Sequence, residues 1–566
     1  MDAAESSFSS LDDALRGLVA CRDAWVEEDL DARMLLLDRT ISDTYAVAAD
    51  WVEVECERKG IPVDSPTAGE EWFAGPLIVV RHLRLLRDTL QAVARQGRPD
   101  LPGPLHVLAD GTTVAPVFPT DTYDRLLFLG ITGEARMLPG VGVEEVQATV
   151  GGTYRSPGPR TGGVAAVLGA GNISAIPACD VLAKLFVEDQ VVALKLSPLT
   201  RTLAPVLEAA LRPLVEGGYL RILQGGAPEA VHLVAHDLVD AVHMTGSAST
   251  HDALVFGTGA SGARRKAAGT PHLTKPMTAE LGNVTPLVVV PGPWSRTDLR
   301  YQAEHIATGL ANNAGFNCVS TRMMLTQRGW GQREDLLAAL RSVLRQLPNR
   351  CAYYPHARHT FMALVEEHPQ AELLGGGPPG SLPWGLLEGL DPVAASGMCE
   401  VEAFAPMLTE VAFDAASPAD FLDRAVSFCN ERMWGTLGIT LLVHPASLAD
   451  PATSRALDRA VAELRYGTVA VNIWAASAFG LVSPPWGAFP SEDLTDTQSG
   501  RGFVHNTYLL PHLQKTVMRA PFRSHPKPPW FVTHERSRQA LAAATHLNAD
   551  PDPRILPGLL AAALRG

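Results

Sequence analysis

Residues 164–196 read VAAVLGAGNISAIPACDVLAKLFVEDQVVALKL, and this stretch decides the fold class. VAAVL (164–168) is a short, uncharged apolar run, the pattern of a strand buried on both faces. A glycine-rich turn follows it. The next segment, SAIPACDVLAKLFVEDQ, repeats its apolar residues at helical spacing. VVALKL (191–196) reads as a second buried strand. Strand, turn, helix and strand in this order form one βαβ unit, whose two strands must run parallel.

The alternation continues on the C-terminal side. TLAPVLEAALRPLVEGG reads as helix, and LRIL (220–223) and AVHMT (241–245) read as strands. The whole implies a parallel, doubly wound sheet. A second α/β region opens with PLVVVP at about 287 and runs to about 480, with strands expected in TRMMLTQ, GITLLVHP and TVAVNIW. An extended strand is expected within LLPHLQKTVMRAPF (509–522). Upstream, residues 11–98 have helical periodicity, and 99–125 are rich in Pro, Gly and Thr, as in loops or short strands. Residues 523–566 begin Pro-rich (SHPKPPWF) and continue as an Ala/Leu helical tail.

The composition sets bounds on function. The chain has 566 residues, 46% hydrophobic and 19% charged, enough to bury several cores. Its formal net charge is −14, which disfavours nucleic acid and other polyanions, and the basic run Arg264–Lys266 is too short to reverse that. Seven cysteines are scattered with no C-x-x-C pair, which argues against a disulfide framework or structural zinc and fits a reducing, cytoplasmic setting. The 17 histidines suggest no metal cluster by spacing, so no metal is expected. No signal peptide and no membrane span are expected.

Two glycine patterns invite a phosphate reading. GAGNIS (169–174) has Ser174 where a third glycine would stand. FGTGASG (256–262) matches G-x-G-x-x-G, but HDALVF before it is not a clear strand and no acid follows at the required distance. An ordinary surface loop is the simpler reading.

Read together, several segments resemble the aldehyde dehydrogenase superfamily, in the same order along the chain, over about residues 160–520. ANNAGFNCVSTRMML resembles the family's nucleophile loop and would make Cys318 the catalytic thiol, although Phe316 stands where a polar residue is usual. TAELGNVTPLVVV resembles the Glu-Leu-Gly-Gly motif, with Asn283 for the second glycine. Glu280 would then activate water, a role that partial burial favours by raising its pKa. GAGNISAIP stands where the family has an oxyanion-hole asparagine, which would be Asn172, with the Cys318 backbone N–H as the second donor. Gly171 replaces a family tryptophan, so a more open pocket is expected around Asn172. Taken singly, a buried inert cysteine, a surface glutamate and a helix-capping asparagine remain the ordinary readings of these residues.

The resemblance also implies a nicotinamide cofactor. Lys195 would contact the adenosine ribose, Thr245, Gly246 and Ser247 would form the turn beside the pyrophosphate, and Glu402 and Phe404 (VEAFAPML) would hold the nicotinamide ribose and ring. Pro198 stands where the family often has an acid that favours NAD, and Arg201 is nearby. NAD and NADP therefore both stay open. RYGTVAVNIW, SPPWGAFP and QKTVMRAPF continue the collinear match, the last resembling a strand that pairs between subunits.

The expected architecture is α/β: two doubly wound lobes, one cofactor-binding and one catalytic, a small oligomerisation strand element, and a helical N-terminal region. The division is 1–140 helical and part of the cofactor lobe, 141–160 a bridging or oligomerisation segment, and 161–286 the cofactor-binding domain. Then come 287–480, the catalytic domain with Cys318, 481–522, returning to the cofactor lobe and supplying the oligomerisation strand, and 523–566, a C-terminal extension. The implied activity is NAD(P)-dependent oxidation of an aldehyde to an acid through a Cys318 thioester, in a homodimer or homotetramer. An acyl-CoA or acyl-thioester reductase on the same fold and a catalytically inactive scaffold are the alternatives.

Overall fold

The computed structural model describes residues 3–155 and 160–566; residues 156–159 of the expected 141–160 segment lie outside them. The βαβ unit forms as its sequence dictates. Strands Gly163–Leu168 and Gln190–Lys195 pair in parallel register, Val164 opposite Val191. Their apolar side chains are buried throughout. Leu220–Leu223 and Ala241–Gly246 flank them, Met277–Leu281 follows, and the short Gly500–Arg501 strand closes this six-stranded sheet antiparallel to Met277–Leu281.

The second sheet has eleven strands. Its centre is parallel, running from Leu513–Arg519 through Thr468–Val471, Gly438–Leu442, Thr285–Val289, Thr321–Gln327 and Met407–Phe413 to Trp384–Leu390. The chain therefore changes sheets between Leu281 and Thr285. Asn283 sits at this crossing, and its Nδ2 donates to the Gly438 carbonyl at 2.8 Å and to the Thr285 hydroxyl at 3.1 Å. A carboxamide fits where the family has glycine because Gly435 opposite has no side chain; a Cβ there would lie 2.3 Å from Asn283 Oδ1.

Two expectations are corrected. The strand Leu513–Arg519 does not offer an edge to another subunit. Thr132–Met137 pairs with it on one side and Thr468–Val471 on the other, both within this chain, so its ladder groups are already satisfied. Thr113–Phe118 and Thr132–Met137 also extend this second sheet, so the stretch to 140 does not lie wholly with the cofactor lobe.

The N-terminal helices Ala3–Glu27, Leu30–Ala46 and Ile78–Gln96 bury Leu15, Leu18, Trp25, Leu83 and Leu86 in one core with the six-stranded sheet. Trp25 Nε1 donates to the Leu185 carbonyl. A helical turn of wider pitch interrupts this region at Phe73–Leu77, where Gly75 leaves helical geometry (φ −128°, ψ −109°); such bulges recur near functional sites. Among the described residues no helix is long and apolar enough to cross a membrane.

Candidate active site

Strand ends and one strained turn build the site. The Cys318 loop follows helix Arg296–Ala311. Asn313, Ala314 and Gly315 then take positive φ in succession (53°, 57° and 81°). Left-handed backbone at asparagine and alanine costs free energy that the surroundings must repay. Here they do so through hydrogen bonds: Asn313 Nδ2 reaches the carbonyls of Asn172 and Phe316 and the Oδ1 of Asn317, at 3.1–3.2 Å. Arg322, fully buried, donates to the carbonyls of Gly315 and Ala405.

Asn172 is buried on the turn after Gly163–Leu168, and its Nδ2 donates to the Phe316 carbonyl at 3.0 Å. Its own carbonyl accepts from Asn313 and, at 3.3 Å, from the Tyr353 hydroxyl. The N-terminal region holds this turn from behind. Trp51 Nε1 donates to Ser174 Oγ at 2.9 Å, and the Ala175 N–H donates to the Ala74 carbonyl. Ser174, standing where a phosphate turn would have glycine, is thus a packing residue.

The pocket around Asn172 is not more open for having Gly171. A Cβ there would lie 2.8 Å from Ser197 Oγ and 2.9 Å from Leu199 Cδ1. Those side chains occupy the space.

Glu280, at the end of Met277–Leu281, reaches the same place. Burial lifts its carboxyl to about 7, while the nearby Cys318 thiol and Trp486 indole favour its ionised form. Burial, and then the neighbouring Glu280 carboxylate, push the Cys318 thiol well above its ordinary value. Cys318 and Glu280 line two cavities at once. One is an apolar channel of about 50 Å³ walled by Phe73, Ile78, Ile173, Ile176, Trp474, Phe479 and Trp486. The other is a cleft of about 540 Å³ at the C-terminal ends of the parallel strands, the place where open α/β sheets bind ligands.

The cleft gathers the residues expected to meet a nucleotide: Lys195, Thr245, Gly246, Ser247, Glu402 and Phe404, together with Asn172 and Pro198. Lys195 is buried, its Nζ donates to the Leu196 carbonyl at 3.2 Å, and burial lowers its pKa. Thr245 donates to Asp180 at 3.0 Å. Ser247 caps helix Ala248–Phe256. Burial lifts Glu402 to about 8 against the pull of Arg322. Its Oε1 is buried without a hydrogen-bond partner. Gly282 leaves room for this carboxylate, since a Cβ would lie 1.7 Å from its present position. Phe404 lies at φ +44° and meets Tyr354 edge-on, with centroids 4.7 Å apart. Phe316, the residue in place of a polar one, is fully buried against Tyr353, Tyr354 and Phe404. Arg201 is exposed, and its Nε turns back to the Pro198 carbonyl. The G-x-G-x-x-G segment at 257–262 spans the break after helix Ala248–Phe256 and the first turn of helix Gly259–Ala267, and does not line the cleft.

Sequence reading missed Asn313, Arg322, Tyr353 and Trp486. For the first, the turn-prone run Asn312–Gly315 inside an apolar stretch is a signal; the others carry none. It also expected no metal-ligand cluster. Among the described residues two groups have ligand atoms within 4.8 Å of one another: buried His82, Cys179 and His505, and partly exposed Asp12, His232 and His236. Distant segments assemble the first. In the second, the H-x-x-x-H pair gains its acid only from the N-terminal helix.

A family model described as the aldehyde dehydrogenase family matches residues 131–368. Solved structures have the same fold. An NADP-dependent glyceraldehyde-3-phosphate dehydrogenase from Bacillus halodurans C-125, complexed with NADP, has TM-score 0.60 and 17% identity, covering 91% of this chain and 92% of that one. An NAD-dependent aldehyde dehydrogenase from Sinorhizobium meliloti has TM-score 0.59 and 20% identity, covering 92% and 88%. The aldehyde dehydrogenase KauB from Pseudomonas aeruginosa has TM-score 0.60 and 17% identity, covering 90% and 89%. No curated protein sequence matches the chain. Residues 131–368 are thus similar to the aldehyde dehydrogenase family, and the chain shares the fold of solved aldehyde dehydrogenases.

Proposed function

We propose that the protein oxidises an aldehyde to a carboxylic acid with NAD or NADP, using Cys318 as nucleophile, Asn172 as oxyanion donor and Glu280 as base. The observation that carries this is the meeting of Cys318 and Glu280 where an apolar channel joins the strand-end cleft. A nicotinamide dinucleotide fits the cleft. The unpartnered Glu402 Oε1 suits a ribose hydroxyl, and the glycine at 282 lets that carboxylate sit close to the backbone.

In this reading Glu280, poised near neutrality, takes the proton from the Cys318 thiol. The thiolate adds to the aldehyde carbon, and the carbonyl electron pair moves to oxygen. One Asn172 N–H already holds the Phe316 carbonyl, and the second is available for the new oxyanion, beside the Cys318 backbone N–H. The bound nicotinamide supplies the hydride acceptor that converts the adduct to a thioester. Glu280, once it has released the thiol's proton to solvent, removes a proton from water as it attacks the thioester, and Cys318 leaves as thiolate. Lys195, Thr245, Gly246, Ser247 and Phe404 position the dinucleotide.

The test is absorbance of the reduced cofactor with a panel of aldehydes, supplying NAD and NADP separately. Turnover is expected with the native protein and at least about 1,000-fold less with Cys318→Ala. Undiminished turnover in that variant overturns the reading.

A further inference from the structure

A second apolar cavity, of about 120 Å³, lies on the far side of the channel wall. The C-terminal extension supplies much of it, through Trp530, Leu541, Ala544 and Leu559. Two short helical segments divide it from the channel, each presenting residues to both spaces. In the first, Ala74 and Ile78 line the channel while Leu77 lines the chamber. In the second, Phe479 lines the channel while Gly480 and Leu481 line the chamber.

Phe73 belongs to both walls. Its ring stacks on Trp530 with centroids 6.1 Å apart. It is also seated directly on Gly480, where a Cβ would lie 2.2 Å from the ring. A single aromatic side chain at the interrupted helical turn thus partitions the channel to Cys318 from a chamber built by the extension. At the chamber's other end Leu126 and Leu129, 45% and 59% exposed, form an apolar rim facing solvent.

We infer that the chamber enclosed by residues 523–563 is a second subsite for the substrate, taking the apolar tail of a long-chain aldehyde whose carbonyl end passes Phe73 to reach Cys318. This rests on the reading of Cys318 as nucleophile. The chamber is lined mainly by hydrocarbon, and its Arg81, Arg84 and Lys527 are already paired with Asp124, Asp121 and Glu304. The tail is therefore apolar rather than anionic.

The experiment measures kcat/KM for straight-chain aldehydes from butanal to hexadecanal, together with fluorescence of cis-parinaric acid as a direct binding probe. Each methylene that enters the chamber is expected to raise kcat/KM roughly threefold to fourfold. Ala544→Trp, which fills the chamber, should lower the dodecanal-to-butanal ratio about tenfold or more and release the probe. Phe73→Ala, which removes the partition, should raise that ratio. A flat chain-length profile with no probe binding overturns the subsite while leaving the aldehyde reading intact. Probe binding that Ala544→Trp abolishes, without turnover of any aldehyde, supports an apolar pocket and overturns the aldehyde reading. Probe binding that survives Ala544→Trp places the ligand elsewhere and overturns the subsite.

Discussion

The Asn172 side chain donates to the carbonyl of Phe316, two residues before Cys318, at 3.0 Å. The amide proposed to stabilise an oxyanion is thus also a strut that fixes the nucleophile loop against the cofactor lobe. Asn172→Ala removes both functions. Loss of the donor alone should lower kcat about 100-fold to 1,000-fold. Asn172→Asp, which keeps the size but offers no N–H when ionised, should be no better. A kcat within about threefold of native for the alanine variant refutes the donor role.

The base role proposed for Glu280 predicts a pH dependence. Burial raises its carboxyl to about 7, and a base works only when deprotonated. Rate should therefore rise with pH through about 7 and level off above it. Glu280→Gln should remove this limb and stop acid release. If turnover with CoA as acyl acceptor survives the substitution undiminished, the acyl-thioester reductase alternative gains instead.

Gly282 is predicted to govern cofactor affinity. A methyl group there cannot coexist with the present Glu402 position. Gly282→Ala should push the carboxylate away and raise the KM for the dinucleotide more than it lowers kcat. Tryptophan fluorescence quenching by NAD and NADP measures the affinity directly. Equal affinities in native and variant proteins would remove Glu402 from the ribose site.

His82 predicts sensitivity to acid. Its ring is fully buried and both nitrogens lack partners, which holds its pKa at about 3, below the ordinary 6.5. The unfolded chain therefore binds a proton that the folded chain refuses. The stability contribution is complete above pH 6.5 and is lost as pH falls from there towards 3, at about 1.4 kcal/mol per unit. His505, pushed down in the same way, adds to it. Urea unfolding between pH 7 and 5 should show this slope, and His82→Leu should flatten it. An identical slope in the variant would place the acid sensitivity in other groups.

The sequence by itself determined the local elements of the βαβ core. An apolar run such as VAAVL can satisfy its backbone and bury its side chains only as an interior strand, and its alternation with helical periods forces parallel pairing. It also disclosed, through ordered motifs, which cysteine, glutamate and asparagine to watch. It could not disclose what lies across from a residue. Asn283 reads as a defect in a glycine motif until Gly435 is seen opposite it. Gly171 reads as an opened pocket until Leu199 and Ser197 are seen filling it. The strand at 513–519 carries the same residues whether its neighbour is Thr132–Met137 of its own chain or a strand of another. The partition at Phe73 joins segments some 400 positions apart, Phe73 and Gly480, and residue order places no constraint on that meeting. Local propensity and periodicity are short-range and legible along the chain; burial, orphaned polar atoms and shared walls are set by long-range packing, which only the tertiary structure decides.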